Sequence, residues 1–471
     1  MNGIIGTGQE KADRTQTVTL IVVVITAFIT TFTGSALNLS IPAVSRQFSI
    51  SAGAAGWLIT GYTLAVAAFS VPTGRLADIT SMKKVLSAGI LIFTVCCGIS
   101  AASVSFVMLL AARIMQGVGA AMIFSTNVAV LIRAFPAGRR GQVLGYSLAS
   151  TYAGLSAGPV IGGLMDQYLG WRSIFIMTGI LGAAALAAAV KKLPPDTAGK
   201  TVRIRASLDI RGNLLYIISI VLVMYGLSEI LSGTVPVILT AAGLATGILF
   251  VWYELKADDP AVDISLFREN AGYACSNLAA LMNYGATFAI SYLLSVYLQV
   301  VKGYDPGTAG LIMVSQPAVM AVLTPVMGRC SDRLSPFRLS SAGMGFCAAG
   351  TFIFIFTDRG TSLAVIMTAL AVTGLGFSLF SSPNTNAVMS CVRKEYYGVA
   401  SSLLATMRSI GHTLSMVTVT ITVGLYLPDA PLTSSDPEMI IKVMRTTFII
   451  FTAICTAGVF ISLKRKSTSQ Q

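Results

Sequence analysis

Long apolar runs alternate with short polar stretches along nearly the whole chain. Each run is roughly 20 residues long, which is the length that an α-helix needs to cross a bilayer. The pattern predicts fourteen membrane spans, over residues 18–41, 54–75, 84–104, 106–132, 142–164, 172–190, 212–231, 235–254, 272–299, 307–328, 339–357, 362–382, 396–427 and 440–463. The predicted fold class is therefore all-α, in a polytopic membrane protein.

The composition agrees with this fold class. Of the 471 residues, 54% are hydrophobic and only 11% are charged, whereas a soluble chain carries about a quarter charged residues. The first apolar run is too long for the core of a signal peptide and has no small-residue cleavage site, so we expect it to remain as the first span.

Lys and Arg concentrate in alternate loops. The two tails and the even-numbered loops hold most of the 32 cations, and the odd-numbered loops hold few. Because short cytoplasmic loops carry an excess of Lys and Arg, both termini are predicted to be cytoplasmic. The net charge of +13 thus follows the membrane topology, and we expect no nucleic-acid partner.

An enzymatic function has little support in the sequence. The segment 199–201 resembles the end of a phosphate-binding loop, but Pro194 stands where such a loop needs a glycine. The seven cysteines are scattered without metal-ligand spacing. We therefore expect no catalytic residues, no metal site and no cofactor.

Two similar stretches lie about half a chain apart. One runs from Gly74 to Lys84 and the other from Gly328 to Arg333, each between two apolar runs. Each contains a glycine followed four residues later by an acid, with cations nearby. Such a repeat predicts a membrane protein built from two related halves.

Spans 4 and 5 carry further motifs. Span 4 contains Arg113 and Gln116, and an unpaired cation at the depth of Arg113 costs at least a few kcal/mol, so its side chain should face the bundle interior. Span 5 contains glycines on one helix face, where another helix can approach closely, and a proline that bends the helix. The residues of this second motif are Gly154, Gly158, Pro159, Gly162 and Gly163.

These motifs resemble those of the major facilitator superfamily, specifically its fourteen-span drug:proton antiporter branch. The Gly74 stretch resembles the superfamily's cytoplasmic loop motif, the Arg113 stretch its span-4 motif, and the span-5 glycines its antiporter motif. Residues 35–42 are similar to the span-1 signature of the branch, and residues 303–310, 383–384 and 408–411 are further similar pieces.

The resemblance implies two six-helix bundles around a central cavity, with alternating access. The domains would be an N-terminal bundle (1–190), a cytoplasmic linker (191–211), two inserted transmembrane helices (212–254) and a C-terminal bundle (255–471). It also implies that Asp78 forms a charge–dipole latch, that the Arg113 motif takes part in proton coupling, and that the span-5 glycines shape a helix contact typical of exporters.

The chain departs from the branch at one functional position. Thr33 stands where the span-1 signature usually carries an aspartate, which is a common site for a proton or a cationic substrate. Other candidates for proton handling are therefore His412, Arg408 and Glu229. His412 and Arg408 share a helix face four residues apart, and an imidazole can carry protons, with polar packing as the alternative. The alternative for Glu229 is an interfacial glutamate.

Polar side chains within the spans are candidates to line a substrate cavity, because an amide in hydrocarbon needs a partner or a wet cavity. These are Asn38, Asn277, Asn283, Tyr284, Gln316 and Asn384. Helix–helix contacts are the alternative for about half of the amides. A cavity with amides and aromatic rings but almost no acid favours neutral, zwitterionic or anionic amphiphiles.

The sequence therefore predicts a secondary transporter of the plasma (cell inner) membrane. It would act as a monomer in the lipid bilayer and export amphipathic small molecules, such as drugs or toxic compounds, in exchange for protons. Two alternatives stay open: an exporter of an anionic metabolite or lipid-like molecule with weak or no proton coupling, and a non-transporting membrane sensor.

Overall fold

The computed structural model describes residues 2–50, 52–193, 208–230, 233–257, 260, 262, 265–304, 306–393, 396–426 and 437–463. Within them the regular elements are helices: α1 (Asn2–Phe48), α2 (Ala52–Ile79), α3 (Met82–Ala101), α4 (Phe106–Ala134), α5 (Arg140–Ala157), α6 (Gly163–Leu169), α7 (Arg172–Lys192), α8 (Ile210–Ser228), α9 (Thr234–Glu254), α10 (Ser265–Glu269), α11 (Ala271–Thr287), α12 (Ile290–Val296), α13 (Pro306–Met313), α14 (Ser315–Arg333), α15 (Pro336–Ile355), α16 (Leu363–Ser390), α17 (Tyr397–Tyr426) and α18 (Pro437–Leu463).

Three short helical segments complete the described elements. A 3₁₀-helix, Ala137–Arg139, precedes α5. Two π-helical segments, Gly158–Gly162 and Tyr297–Val301, extend α5 and α12. Much of the predicted linker, residues 194–207, lies outside the described residues.

The helices pack as two bundles and a separate pair. Helices α1 to α7 form the N-bundle, in which α1 packs on α5 and α7, and α3 packs on α4. Helices α11 to α18 form the C-bundle, in which α15 packs on α16 and α18. The bundles meet where α5 contacts α14 and where α2 and α4 contact α17, while α8 and α9 pack on each other beside α2.

Within the described ranges, eleven helical segments are long and apolar enough to cross a membrane. The helices α2, α5 and α17 are not among them, so the fourteen spans predicted from the sequence are reduced to eleven by this criterion. These three helices are rich in Gly, Ser and Thr and lie where the bundles meet. A helix covered by protein on several sides does not need a uniformly apolar surface, because little of that surface meets lipid.

Close helix contacts repeat in the two bundles. Gly89 of α3 and Gly119 of α4 face each other, and a Cβ atom at either would lie 2.9 Å from the carbonyl oxygen of the other. Gly343 of α15 and Gly376 of α16 form a similar pair, with distances of 2.6 and 2.8 Å. Small residues thus allow the same backbone approach in both halves, which agrees with the internal repeat.

The pair α8–α9 is joined to both bundles by Tyr216 of α8. Its ring is buried against Phe250 of α9. Its hydroxyl donates to the carbonyl oxygen of Ala67 in α2 at 3.0 Å and lies 2.7 Å from the hydroxyl of Thr406 in α17. One buried side chain therefore touches the N-bundle, the C-bundle and the neighbouring helix.

Candidate functional site

A cation without an acidic partner lies inside the N-bundle. Arg113 of α4 is fully buried, its Nε donates to the carbonyl oxygen of Leu58 at 3.1 Å, and its guanidinium lies 4.3 Å from the ring centroid of Tyr62. A second guanidinium nitrogen donates to the side chain of Gln116. In the described part of the chain no carboxylate reaches Arg113, so carbonyl, amide and π electrons compensate its charge.

The Arg113 contacts extend across the bundle as a polar network. Gln116 donates to the sulfur of Cys97 in α3 at 2.9 Å, and this sulfur lies 3.5 Å from the hydroxyl of Thr178 in α7. Tyr62 donates to the carbonyl oxygen of Thr30 in α1. Thr33, which occupies the position of the missing acid, is buried and donates to the carbonyl oxygen of Ile29 at 2.6 Å.

The span-5 glycines lie against α1. A Cβ atom at Gly158 would come within 2.5 Å of the Cβ of Ser35, and one at Gly154 would come within 2.7 Å of the carbonyl oxygen of Phe28. Gly162 meets Ala36 in the same way. This close approach also lets α1 hydroxyls reach α5 carbonyls: Thr31 donates to Thr151 at 3.0 Å and Ser35 to Leu155 at 2.9 Å.

The helix changes its winding within this motif. Residues Gly158–Gly162, which include Pro159, form a π-helical segment before α6 begins at Gly163. A proline lacks the N–H that an α-helical hydrogen bond requires, and π-helical turns frequently lie at functional sites. The side chain of Pro159 is outside the described residues.

Two carboxylates join the bundles on one side of the molecule, the face at which Lys83, Lys84, Arg133 and Arg139 lie (hereafter the basic face). Asp78, at the end of α2, accepts from the backbone N–H groups of Gly398 at 2.9 Å and Val399 at 2.8 Å. These N–H groups belong to the first turn of α17, where the helix dipole favours a negative charge.

The repeat supplies an equivalent contact in the opposite sense. Asp332, at the end of α14, accepts from the backbone N–H groups of Gly141 at 2.6 Å and Gln142 at 2.9 Å in the first turn of α5. In each case a glycine four residues before the acid permits the approach: Gly74 faces Gly398, and Gly328 faces Gly141. We refer to the two contacts as the Asp78 latch and the Asp332 latch.

Further hydrogen bonds close the basic face near the Asp332 latch. A guanidinium nitrogen of Arg329 donates to the hydroxyl of Tyr146 at 2.8 Å, and Ser382 of α16 donates to the carbonyl oxygen of Gly141 at 3.1 Å. Both connect the C-bundle to α5. The bundles are therefore tied together by charge-assisted and neutral hydrogen bonds at this face.

A cation with aromatic neighbours lies deeper between the bundles. Arg408 lies roughly 16 Å along α17 from Tyr397 at about 1.5 Å per residue, and its guanidinium is 4.9 Å from the ring centroid of Tyr284. His412, one turn further, stacks on Phe288 at 4.1 Å and meets Tyr284 edge-on at 5.4 Å. The spacing in the sequence placed Arg408 and His412 on one face, and the structure shows what that face contacts.

The N-bundle contributes Tyr152 to the same place. Its ring meets Phe377 of α16 edge-on at 5.8 Å, and Phe377 in turn meets Tyr284 at 5.3 Å. The Tyr152 hydroxyl lies beside Ser381, Tyr284 and Arg408. Sequence reasoning missed Tyr152 and Phe288, because an aromatic residue within an apolar run carries no signal of which helix it will face.

The predicted cavity amides do not form one cluster. Asn384 donates to the carbonyl oxygen of Ser276 at 3.2 Å, Asn277 donates to that of Tyr273 at 3.1 Å, and Asn283 donates to the sulfur of Cys347 at 3.6 Å. All three are buried within the C-bundle, where two of these contacts join different helices. Gln316 is also buried. The side chain of Asn38 lies outside the described residues.

Glu229 lies apart from these groups. It is the residue that follows α8 and its side chain is exposed. The carboxylates whose side chains the structure describes all lie in the first or last turn of a helix or in the connections between helices: Asp78, Asp166, Asp209, Glu229, Glu254, Glu269, Asp332, Asp358 and Glu438.

Two helical bundles that meet around a buried polar and aromatic centre are the architecture of a class of membrane transporters. The sequence comparison agrees. A model of the Major Facilitator Superfamily matches residues 23–416, and the chain belongs to this family. The family membership and the transporters that resemble the chain identify it as a transporter and not an enzyme.

Several bacterial transporters and resistance proteins resemble the chain over most of its length. The riboflavin transporter RibZ of Clostridioides difficile is 29% identical, over 84% of this chain and 86% of that protein. The multidrug resistance protein Stp of Mycobacterium tuberculosis is 29% identical, over 85% and 75%. The methylenomycin A resistance protein of Bacillus subtilis is 27% identical, over 86% and 87%.

Among solved structures, the human organic anion transporter MFSD10 (TETRAN) has the same fold. The TM-score is 0.67, and the match covers 96% of this chain and 99% of that one. The sequence identity is 13%, so this similarity concerns the fold alone.

Proposed function

We propose that the protein is a secondary active transporter that exports amphipathic small molecules across the plasma membrane by alternating access. The observation that carries this proposal is the pair of latches. Two carboxylates related by the internal repeat each join one bundle to a helix N-terminus of the other, on one face only of the described structure. Contacts of this kind can break and re-form as two rigid bundles rock around a fixed site.

We assign fourteen membrane spans to this transporter. The three added to the eleven apolar helices are α2, α5 with α6, and α17. Helix α2 has 28 residues and α17 has 30, which is long enough to cross a bilayer and supports this assignment. The basic face is then cytoplasmic by the positive-inside rule, both termini lie on that side, and the protein acts as a monomer.

Proton antiport is the proposed source of energy. The buried network of Arg113 and Gln116 and the central pair Arg408 and His412 are the groups proposed to sense or carry the proton. The Asp78 latch closes the basic face, and its opening is proposed to be linked to the gain or loss of the proton. The relatives described above include a drug-resistance and an antibiotic-resistance protein, which supports export as the direction of transport.

A second function is favoured by the distribution of acids. Because the described carboxylates lie at helix ends or between helices, an exporter of an anionic metabolite or lipid-like molecule with weak or no proton coupling is the alternative. Such a transporter would not require a carboxylate at mid-depth. A non-transporting sensor would retain binding but move no solute.

The test is proton flux in everted vesicles that contain the full chain. A pH gradient is imposed, and cationic, zwitterionic, neutral and anionic amphiphiles are added in turn. Collapse of the gradient by one class, abolished by Arg113→Ala, supports antiport. Accumulation of a labelled compound without proton movement favours the uncoupled exporter, and the absence of both fluxes favours the sensor.

A further inference from the structure

Arg408 is the one feature of the central cluster whose charge the described structure leaves without compensation by an acid. Its Nε is buried and has no hydrogen-bond partner, and in the described part of the chain no carboxylate reaches it. The ring of Tyr284 offsets part of the cost, since a cation–π contact contributes about 0.5–2 kcal/mol. An arginine carries a fixed positive charge, so an anion that reaches Arg408 would be stabilised there.

The position of Arg408 is fixed by a close helix contact. Gly411 lies between Arg408 and His412 on α17, and a Cβ atom there would come within 2.8 Å of the carbonyl oxygen of Leu281 and 2.9 Å of the Cβ of Tyr284. The absence of a side chain at Gly411 brings α17 onto α11. Arg408 and His412 are thereby both held against the ring of Tyr284.

Two hydroxyl groups lie beside this cation. Tyr152 and Ser381 are buried, and the Tyr152 hydroxyl interacts with the side chains of Ser381 and Tyr284. Tyr152 belongs to the N-bundle and Ser381 to the C-bundle, and the Tyr152 hydroxyl lies beside both Ser381 and Arg408. A hydroxyl can donate to an anion, so both bundles offer donors at one point.

An aromatic surface adjoins these donors. Phe288 and His412 are stacked at 4.1 Å with an angle of 21° between their planes, and Phe288 is 47% exposed. Arg408 and His412 are only half-buried. Because a charged group facing lipid is costly, the accessible surface of Arg408 is expected to face the space between the bundles, where a ligand can reach it.

We propose that Arg408 binds the acidic group of an aromatic organic anion. The anion accepts hydrogen bonds from Arg408 and Tyr152, and its ring packs against the Phe288–His412 stack. This inference rests on the proposed transport function and narrows its substrate class to planar aromatic anions. The same contact links an α5 side chain to an α17 side chain, so the bound anion joins the two bundles at mid-depth.

Binding to the purified full chain in detergent tests the proposal without any gradient. Equilibrium dialysis is carried out with 2-naphthoate, 2-naphthamide and 2-naphthylmethylammonium, which share one ring system and differ in charge. We expect 2-naphthoate to bind at least about tenfold more tightly than the other two compounds, since a charge-assisted hydrogen bond exceeds a neutral one. Equal binding of the three compounds, or no binding of 2-naphthoate up to about 1 mM, would overturn the proposal.

Variants distinguish the loss of the contact with the acidic group from a general loss of folding. Arg408→Gln should weaken 2-naphthoate binding about tenfold to a hundredfold and leave 2-naphthamide binding unchanged. Tyr152→Phe should weaken 2-naphthoate binding by a smaller factor, and it serves as the second test if Arg408→Gln does not fold. Arg359→Gln, on the opposite face and 54% exposed, is the matched control. Equal losses for 2-naphthoate and 2-naphthamide in Arg408→Gln would contradict the assignment.

Transport in everted vesicles distinguishes this inference from the proposed function. If 2-naphthoate binds through Arg408 but is not moved, the binding site stands and the export function fails. If a neutral or cationic compound is exported and Arg408→Gln leaves its transport unchanged, export stands and the anion site fails.

Discussion

The two arginines inside the bundles differ in how their charge is compensated. Arg113 is fully buried, donates to a backbone carbonyl and an amide, and lies on the ring of Tyr62, and only its Nη2 atom has no hydrogen-bond partner. Arg408 is half-buried, has an aromatic neighbour and lacks an acceptor for its Nε. Arg113 is therefore placed to organise its own bundle, whereas Arg408 is placed to receive a ligand.

Removing the charge of Arg113 should affect both stability and transport. In Arg113→Gln, the side chain is too short to reach Leu58 and Gln116 together, so buried acceptors lose their donors. The cost of such a loss is about 1–3 kcal/mol. We expect a lower Tm of the purified protein and loss of proton-linked export in everted vesicles.

The matched substitution for this test is Arg359→Gln. Arg359 forms an exposed ion pair with Glu438 at 3.2 Å, and surface pairs contribute about 0–1 kcal/mol. Its Tm and transport should remain close to those of the parent protein. A Tm for Arg113→Gln as high as that of this control would show that the buried network contributes little.

At the scale of helices, the close contact of α5 with α1 depends on glycines, which have no side chain to separate the two backbones. A methyl group at Gly158 would overlap Ser35 and approach the backbone nitrogen of Ala36 to 2.9 Å. The hydrogen bond from Ser35 to the carbonyl of Leu155 would lengthen as the helices separate. The α1–α5 contact is thus a place where one carbon atom changes the helix spacing.

Gly158→Ala should therefore impair the transporter. Overpacking of a close contact costs about 1–3 kcal/mol, so we expect a lower Tm and reduced export. Gly34→Ala on α1 is the control, because a Cβ atom at Gly34 would have no neighbour within 4 Å. Normal export by Gly158→Ala would refute the role assigned to this helix contact.

The added pair α8–α9 also contacts the place where the bundles meet. Tyr216 hydrogen-bonds to α2 and lies at hydrogen-bond distance from Thr406 of α17, so it holds one helix from each bundle in the described arrangement. Helix α8, which is adjacent to neither α2 nor α17 in the sequence, thereby stabilises the contact between them. The extra pair is expected to favour the state in which the basic face is closed.

Tyr216→Phe keeps the ring on Phe250 and removes only the hydroxyl. A hydrogen bond contributes about 0.5–1.5 kcal/mol, so we expect a small decrease in Tm and more frequent opening of the basic face. Tyr225→Phe on the same helix is the control, since Tyr225 contacts Trp57 by ring stacking at 5.5 Å. Equal effects of the two variants would exclude a specific role of the Tyr216 hydroxyl.

At the scale of the whole molecule, the two latches close the basic face by the same chemistry. Each carboxylate accepts two consecutive N–H groups at the start of a helix in the other bundle. Helices α2 and α14 supply the acids, and α17 and α5 supply the N–H groups. The arrangement is reciprocal, so each bundle both gives and receives one latch.

Neutralising the latches should open the basic face. Asp78→Asn and Asp332→Asn replace a charge-assisted acceptor by a neutral amide, which weakens closure by about 1–3 kcal/mol each. Spin labels on Thr80→Cys and Ser335→Cys, with the half-buried cysteines Cys275, Cys330 and Cys391 replaced by serine, should report a larger long-distance population by double electron–electron resonance.

The double variant provides the sharpest form of this test. Because the two latches share no residues, their effects should add, and the double variant should be more open than either single variant. Asp166→Asn lies outside both latches and should leave the distance distribution unchanged. A distribution unaffected by removing both latches would show that other contacts close the face.

Much of the architecture was predictable because membrane helices are encoded locally. The apolar runs gave the positions of the helices, and the repeat at Gly74 and Gly328 indicated two related halves. Among the described residues, eleven segments are long and apolar enough to span, so the count of fourteen membrane spans stays a prediction. Asn277, Asn283 and Asn384 form hydrogen bonds within the C-bundle, so the substrate cavity that they were predicted to line stays a prediction.

The sequence by itself determined the helical class, the repeat, the basic loops and the presence of charged residues within apolar runs, because run length and spacing are properties of neighbouring residues. Only the tertiary structure decided that Asp332 meets the start of α5, that Tyr152 meets Phe377, and that Tyr216 lies between α2 and α17. Such contacts join residues more than 100 positions apart, and they depend on how whole helices pack.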